Sequence, residues 1–309
     1  MSPSGFTLRP LGPFRLNLTA WALKRRPGNL IDRWDGSTYR RVVAVSGKPH
    51  EVAVVQSPKA SRQLHVHVSG GPLDHRTKLL IRRTVHRLLG TPTDLAGFYR
   101  LAARDRKLAP LVERFQGLKP PRFPTPFEAL INGIACQQIS LAAGIQIMNR
   151  LARQFSLSTG KGDSRSYAFP RPEDLAAAPP EELRKLGFTG QKARAIVEAS
   201  QALAEGRLDF TRLARMSDED VLQRLMELRG VGQWTAEYTL LRGMGRWRIF
   251  PAGDIGARNA LGRWLRLPSP LDAERTHQIL EPWKPYAGML YFLMLMNGLD
   301  EAGLLGSSP

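Results

Sequence analysis

Apolar and polar positions alternate in short runs through the first hundred residues. Phe14-Arg-Leu-Asn-Leu18 and Leu64-His-Val-His-Val68 do so cleanly, and residues 39–45 and 51–55 less so. A period of two puts alternate side chains on opposite faces, so these runs predict half-buried strands. Trp34-Asp-Gly36 and Gly70-Gly-Pro72 supply turns between them. Over residues 78–89 the period changes, and Leu79, Leu80, Val85, Leu88 and Leu89 form a helical stripe under a basic face. An antiparallel sheet with accompanying helices fits this pattern.

Lys119-Pro-Pro-Arg-Phe-Pro-Thr-Pro126 interrupts it, because its prolines forbid a helix and favour an extended connector. Beyond this point strand patterning stops. Phe127, Leu130, Ile131 and Ile134 recur at helical spacing, and residues 141–155 continue the same way. Residues 156–172 are polar and irregular, which predicts a loop. Helical spacing resumes at 172–175, 181–186, 191–203, 218–228, 233–242, 256–265, 272–283 and 289–297. Short connections between many helices indicate an irregularly packed all-α bundle. The expected fold class is α+β, with an α/β N-terminal domain over residues 1–118 and an all-helical region over 119–309.

At 309 residues and 42% hydrophobic content, the chain can bury more than one core, and global disorder is excluded. The single cysteine, Cys136, excludes an intramolecular disulfide, a four-thiolate iron–sulfur cluster and a multi-cysteine zinc site. The apolar run at residues 289–296 falls far short of the roughly 20 residues that span a bilayer. MSPSGFTLRP shows no basic stretch followed by an apolar one, so no secretory signal and a cytoplasmic location are expected. Charge narrows the partners. Lys and Arg number 45 against 27 Asp and Glu, a net +18, and residues 1–118 hold 21 of the former and 7 of the latter. Such an excess calls for an anionic partner, most commonly nucleic acid. Because the basic segment carries strand patterning, it reads as a folded domain and not as a tail. His65 and His67 share one strand face, but no third metal ligand accompanies them.

Three segments carry candidate chemistry. In Leu228-Arg-Gly-Val-Gly-Gln-Trp-Thr-Ala-Glu-Tyr-Thr-Leu240, one helix ends, a turn holds Gly230 and Gly232, and a second helix starts at once. The turn is either a plain tight connection or a phosphate site, since the new helix presents unpartnered N–H groups and Thr235 a hydroxyl. Gly187-Phe-Thr-Gly-Gln-Lys192 is a poorer turn of the same kind and reads as structural. In Phe250-Pro-Ala-Gly-Asp254, the aspartate directly precedes a helix. It is a preferred N-cap residue and also a carboxylate able to do electrostatic or general-base work beside Trp234 and Tyr238; the two roles are compatible. In Cys136-Gln-Gln-Ile-Ser140, Gln137 and Gln138 interrupt an apolar helix, either as exposed linkers or as side chains that enter a duplex.

Taken in order, Phe127-Glu, Cys136-Gln-Gln-Ile-Ser, the Gly230–Gly232 turn and Pro251-Ala-Gly-Asp254 resemble the helix-hairpin-helix DNA glycosylases, nearest the AlkA type. Trp283-Lys-Pro-Tyr286 and the strand at 64–69 resemble pieces of that type as well. The resemblance spans nearly the whole chain, with the hairpin at about residues 221–242. It implies a DNA glycosylase of base excision repair in which Asp254 is the catalytic aspartate and Trp234 and Tyr238 line the base pocket. Gly230, Gly232 and Thr235 would grip a phosphate. Gln138, with Gln137 beside it, would fill the gap left by the extruded nucleotide. No cofactor is required, but hairpins of this family also hold a monovalent cation (sodium or potassium) on backbone carbonyls, here those of Met226, Leu228 and Val231.

Several positions depart from the family pattern. Arg229 replaces a proline and adds a charge beside the DNA backbone, the gap-filler is an amide, and Leu295 stands where a pocket tryptophan is expected. Trp234 occupies the position at which lyase members carry lysine, and no lysine lies between Lys192 and Lys284. The implied enzyme is therefore monofunctional and uses water. It would be a monomer acting on alkylated purines in duplex DNA, with no membrane partner. The alternatives are a non-catalytic hairpin DNA-binding protein, or a glycosylase for oxidised or mismatched bases.

Overall fold

The basic N-terminal segment folds around one five-stranded antiparallel sheet in the computed structural model, which describes residues 4–57, 63–268 and 270–305. Its strands are β1 (Ser4–Leu8), β2 (Arg33–Trp34), β3 (Thr38–Val45), β4 (Lys48–Gln56) and β5 (Leu64–Ser69), in the spatial order β1-β5-β4-β3-β2. Register follows the alternation. Val52 pairs with Val68 and Val54 with Val66, and these four are buried, whereas His65 and His67 face outward. Among the described residues, no group of three or more His, Cys, Asp or Glu is placed to hold a metal ion.

Helix α1 (Leu16–Lys24) replaces the strand expected from Phe14-Arg-Leu-Asn-Leu18. Leu16, Ala20 and Leu23 pack on the sheet, while Leu18 and Ala22 pack on a second core. A helix buried on two sides loses the one-sided stripe that marks helices in sequence. Helix α2 (His75–Leu89) closes the sheet's apolar face with Ile81, Val85, Leu88 and Leu89. Asp74 caps it by accepting the Thr77 N–H at 2.7 Å.

Two short helices that the pattern does not reveal follow, α3 (Ala96–Ala103) and α4 (Leu108–Arg114). After the connector come α5 (Pro126–Cys136), α6 (Leu141–Phe155), α7 (Pro172–Ala176), α8 (Pro180–Lys185), α9 (Gly190–Ala204), α10 (Phe210–Leu213) and α11 (Asp218–Met226). Helix α12 (Gln233–Tyr238) runs into a π-helical turn at Thr239–Met244. Then follow α13 (Ile255–Leu265), α14 (Ala273–Leu280), a 3-10 turn at Glu281–Tyr286 forced by Pro282 and Pro285, and α15 (Ala287–Glu301). The expected loop at 156–172 contains a small hairpin, β6 (Ser158–Thr159) with β7 (Ser166–Tyr167), docked on β3 and β4.

The helices build two cores. One joins α5–α9, α11 and α12, and the other joins α13–α15 with α1 and residues 95–118, which the sequence assigns to the first domain. Trp283 helps to dock these parts, its Nε1 donating to Asp105 at 2.7 Å. A buried ionic network ties the sheet to α5. Arg41, on β3, donates to Asp32 at 2.7 Å and to both oxygens of Glu128 at 2.5 and 2.6 Å, and Tyr39 donates to Asp32 at 2.6 Å. The proline-rich connector forms neither helix nor strand before Pro126 and is largely buried. Lys119 within it donates to the Thr93 carbonyl at 2.7 Å.

Candidate active site and DNA interface

The turn between α11 and α12 is a tight hairpin. Val231 is buried at its apex and its N–H donates to the Leu228 carbonyl at 3.1 Å. Gly230 has a φ of 71°, and a Cβ there would stand 2.8 Å from the Ala195 methyl of α9. A side chain is excluded by both conformation and packing. Gly232 differs: it is the extended N-cap of α12, and a Cβ would meet nothing within 4 Å. The space in front of it is open to solvent, as a phosphate-facing position requires. Arg229 lies at the surface beside the hairpin, where it pairs with Glu198, its Nε 2.8 Å from the carboxylate.

Two expectations are corrected here. Thr235 is 1% exposed, and its hydroxyl accepts the Gln137 amide at 2.8 Å, so it faces the α5 end and not a phosphate. Gln137 is correspondingly unavailable for a duplex, because the same Nε2 also donates to the Gly230 carbonyl at 2.8 Å. Gln138 is exposed, at a left-handed φ of 55°.

Asp254 combines both roles read from the sequence. Its Oδ1 caps α13 by accepting the Ala257 N–H at 2.9 Å, and its Oδ2 accepts the Tyr291 hydroxyl at 2.8 Å. Gly253 lets this loop lie against Trp234, whose Cβ would be 2.7 Å from any Cβ at 253. Trp234 and Tyr238 are paired, with ring centroids 5.7 Å apart and planes tilted by 37°. Phe123 and Tyr291 complete the aromatic cluster with them. Burial and the neighbouring Asp254 carboxylate push the Tyr291 phenol well above its usual value, so it stays a donor.

Tyr291 is the site residue that the sequence reading misses. It precedes Leu295 by one helical turn and so shares its side of α15. Leu295 itself packs with the C-terminal core, and the aromatic contribution expected there comes from Tyr291. Behind the rings, Arg25 donates to the Tyr238 hydroxyl at 3.2 Å and to Asn132 at 2.9 Å. Arg242, 1% exposed, stacks on Phe123 and Phe292 and donates to the Ala22 carbonyl at 3.1 Å. A lone arginine between Leu241 and Gly243 in an apolar helix is the one sequence signal of this layer. The lysines that bracket the hairpin in sequence are engaged elsewhere. Lys192 donates to the Ala135 and Gln137 carbonyls at 3.0 and 2.6 Å, and Lys284 pairs with Glu281 at 3.2 Å.

The site is thus a hairpin between helices, followed by a capping carboxylate set against aromatic rings. Residues 131–285 match the HhH-GPD superfamily base excision DNA repair protein family, and the chain belongs to that family. It is 27% identical over 255 residues to the DNA-3-methyladenine glycosylase of Bacillus subtilis, covering 82% of this chain and 81% of that protein. It is 31% identical over 160 residues to the putative DNA-3-methyladenine glycosylase YfjP of the same organism, covering 52% of this chain. The match spans about half, 54%, of that relative's length. In fold the chain is similar to the 3-methyladenine DNA-glycosylase of Archaeoglobus fulgidus, with a TM-score of 0.82, 24% identity and coverage of 96% of this chain and 99% of the other. Among the described residues no helix is long and apolar enough to cross a membrane.

Proposed function

We propose that this member of the HhH-GPD superfamily is a monofunctional DNA glycosylase that flips alkylated purines out of duplex DNA and hydrolyses their N-glycosidic bond. The observation that carries this reading is Asp254. Its carboxylate is fixed through both oxygens, by Ala257 and Tyr291, beside Trp234 at the end of the hairpin. A base inside a duplex is unreachable, so the nucleotide is extruded at a cost of a few kcal/mol. An alkylated purine carries positive charge and stacks on the electron-rich face of Trp234, which the buried Tyr238 ring backs. Departure of the base builds oxocarbenium character on the deoxyribose. The Asp254 carboxylate stabilises that charge and orients or deprotonates the attacking water. Because the leaving base is already cationic, no strong general acid is needed.

The open N-terminal end of α12 at Gly232, together with the basic surface, grips the backbone without reading sequence. A monovalent cation at the hairpin belongs to the same reading. Helix α11 ends at Met226, and the C-terminal end of a helix is its negative pole. Carbonyls of Met226, Leu228 and Val231 would hold it, and it would supply positive charge near the bound phosphate. The protein acts as a monomer on damaged duplex DNA, in the cytoplasm.

Incubation with methylated duplex DNA, followed by identification of released bases, tests the reading. The expected products are free 3-methyladenine or 7-methylguanine and an intact strand with an abasic site, which breaks only after alkali. Borohydride should trap no covalent adduct, since Trp234 replaces the lyase amine and Lys192 and Lys284 are held by other groups. Release of oxidised or mismatched bases alone, or of none, refutes it.

A further inference from the structure

The turn from Gln137 to Ser140 is braced from two directions. On one side the Gln137 amide donates to the Gly230 carbonyl and the Thr235 hydroxyl, both at 2.8 Å, which fastens the turn to the hairpin. On the other side the Lys192 ammonium, from the first turn of α9, donates to the Ala135 and Gln137 carbonyls at 3.0 and 2.6 Å. Those carbonyls belong to the last turn of α5, where helical partners have run out and a cation is favoured. Between these anchors and the Ser140 cap of α6 stands Gln138, exposed and at a φ of 55°. A non-glycine residue persists in that region only where its surroundings over-determine it.

We propose that Gln137 and Lys192 are positioning residues that hold Gln138 in this strained, outward conformation, so that its amide is pre-formed to replace an extruded nucleotide. The proposal rests on the glycosylase reading for its purpose, but its physical content is mechanical. Without either anchor, the turn relaxes towards ordinary backbone angles and the side chain no longer projects. Part of the free energy of opening the duplex is then spent on ordering the turn. Because one anchor is the carbonyl of Gly230, the turn is also tied to the segment proposed to grip the DNA. Binding at the hairpin and insertion of Gln138 are thereby linked through one side chain.

The test uses the full chain with Asp254→Asn, which halts the reaction before bond cleavage, and a duplex with 2-aminopurine next to a methylated purine. Insertion unstacks the reporter and raises its fluorescence. Gln137→Glu keeps the size of the side chain and loses both donated bonds, and Lys192→Met keeps the stem and loses the ammonium. Each should lower the extrusion equilibrium roughly tenfold, the scale of one or two hydrogen bonds, with affinity for undamaged duplex within a few-fold. Lys192→Arg should restore extrusion, and with Asp254 intact the anchor variants should lose kcat and keep KM. Gln138→Ala should abolish the signal in any background. Equal fluorescence in anchor variants and parent overturns the proposal, as does a parallel fall in undamaged-duplex affinity. Failure of the glycosylase reading shows separately, as absent base release by the wild-type chain while the fluorescence contrast persists.

Discussion

Replacing Asp254 by Asn isolates charge from geometry, because the structure lets the amide reproduce both of the carboxylate's contacts. Asn Oδ1 can accept the Ala257 N–H, and Nδ2 can donate to the Tyr291 oxygen, which then acts as acceptor. Asn is as good an N-cap as Asp, and the lost helix-dipole interaction costs about 0.3–1 kcal/mol. The fold should therefore survive, with a melting temperature lowered by no more than about 4 °C. Duplex affinity should stay within a few-fold of the parent. Catalysis should not survive. A carboxylate about 4 Å from a developing positive charge, at an effective dielectric near 20, contributes about 4 kcal/mol, which corresponds to about a thousandfold in rate. That interaction exists only in the transition state, so its loss falls on turnover. Single-turnover release of 7-methylguanine under saturating enzyme measures it directly. Release within tenfold of wild type would reduce Asp254 to a helix cap.

Tyr291→Phe should slow base release by about tenfold without changing affinity, because one oxygen of Asp254 loses a hydrogen bond to a charged acceptor; an unchanged single-turnover rate would mean that the tyrosine does not orient the carboxylate. Gly232→Val should weaken binding to damaged and undamaged duplex alike, since the added side chain meets no protein atom and projects where a phosphate would approach. Unchanged affinity in the folded variant would place the DNA grip elsewhere. Arg41→Met should destabilise the fold by about 3–5 kcal/mol, because it leaves Glu128 and Asp32 as buried, unpaired carboxylates. A urea midpoint equal to wild type would show that the network adds nothing.

What could be read from the chain depended on how one-sided each element is. Strands β4 and β5 and helices α2, α6 and α9 each bury one face, so their periods stand out in the sequence, whereas β3 buries residues on both faces and alternates less cleanly. Helix α1 was legible only as alternation, because it is clasped between two cores. Helices α3 and α4 are too short for a period to show. At the site, Asp254, Trp234 and Gly230 were legible because each breaks a local pattern. The reassignments came from tertiary packing that no local pattern records. Thr235 turns inward to Gln137, and Tyr291 stands one turn before the position expected to face the pocket.

The N-terminal domain is physically part of the pocket. Arg25, which ends α1, has a φ of 61° and a ψ of −34°, a costly conformation for a residue other than glycine. That geometry sends its guanidinium out of the sheet domain to the Tyr238 hydroxyl and to Asn132 of α5. Arg242 approaches from the π-helical turn, so Phe123 lies close to two buried cations, 5.4 and 4.9 Å from its centroid. Burial lowers the pKa of Arg242, yet both groups lie where the Tyr238 ring is supported. Buried charge of this kind persists only with fixed partners, and those partners span the two halves of the chain. A helical region expressed without residues 4–89 would leave Tyr238 and Asn132 without the guanidinium that fixes them, and would strip Glu128 of its Arg41 partner. The sheet is therefore required for a rigid aromatic wall even where its own surface touches no base.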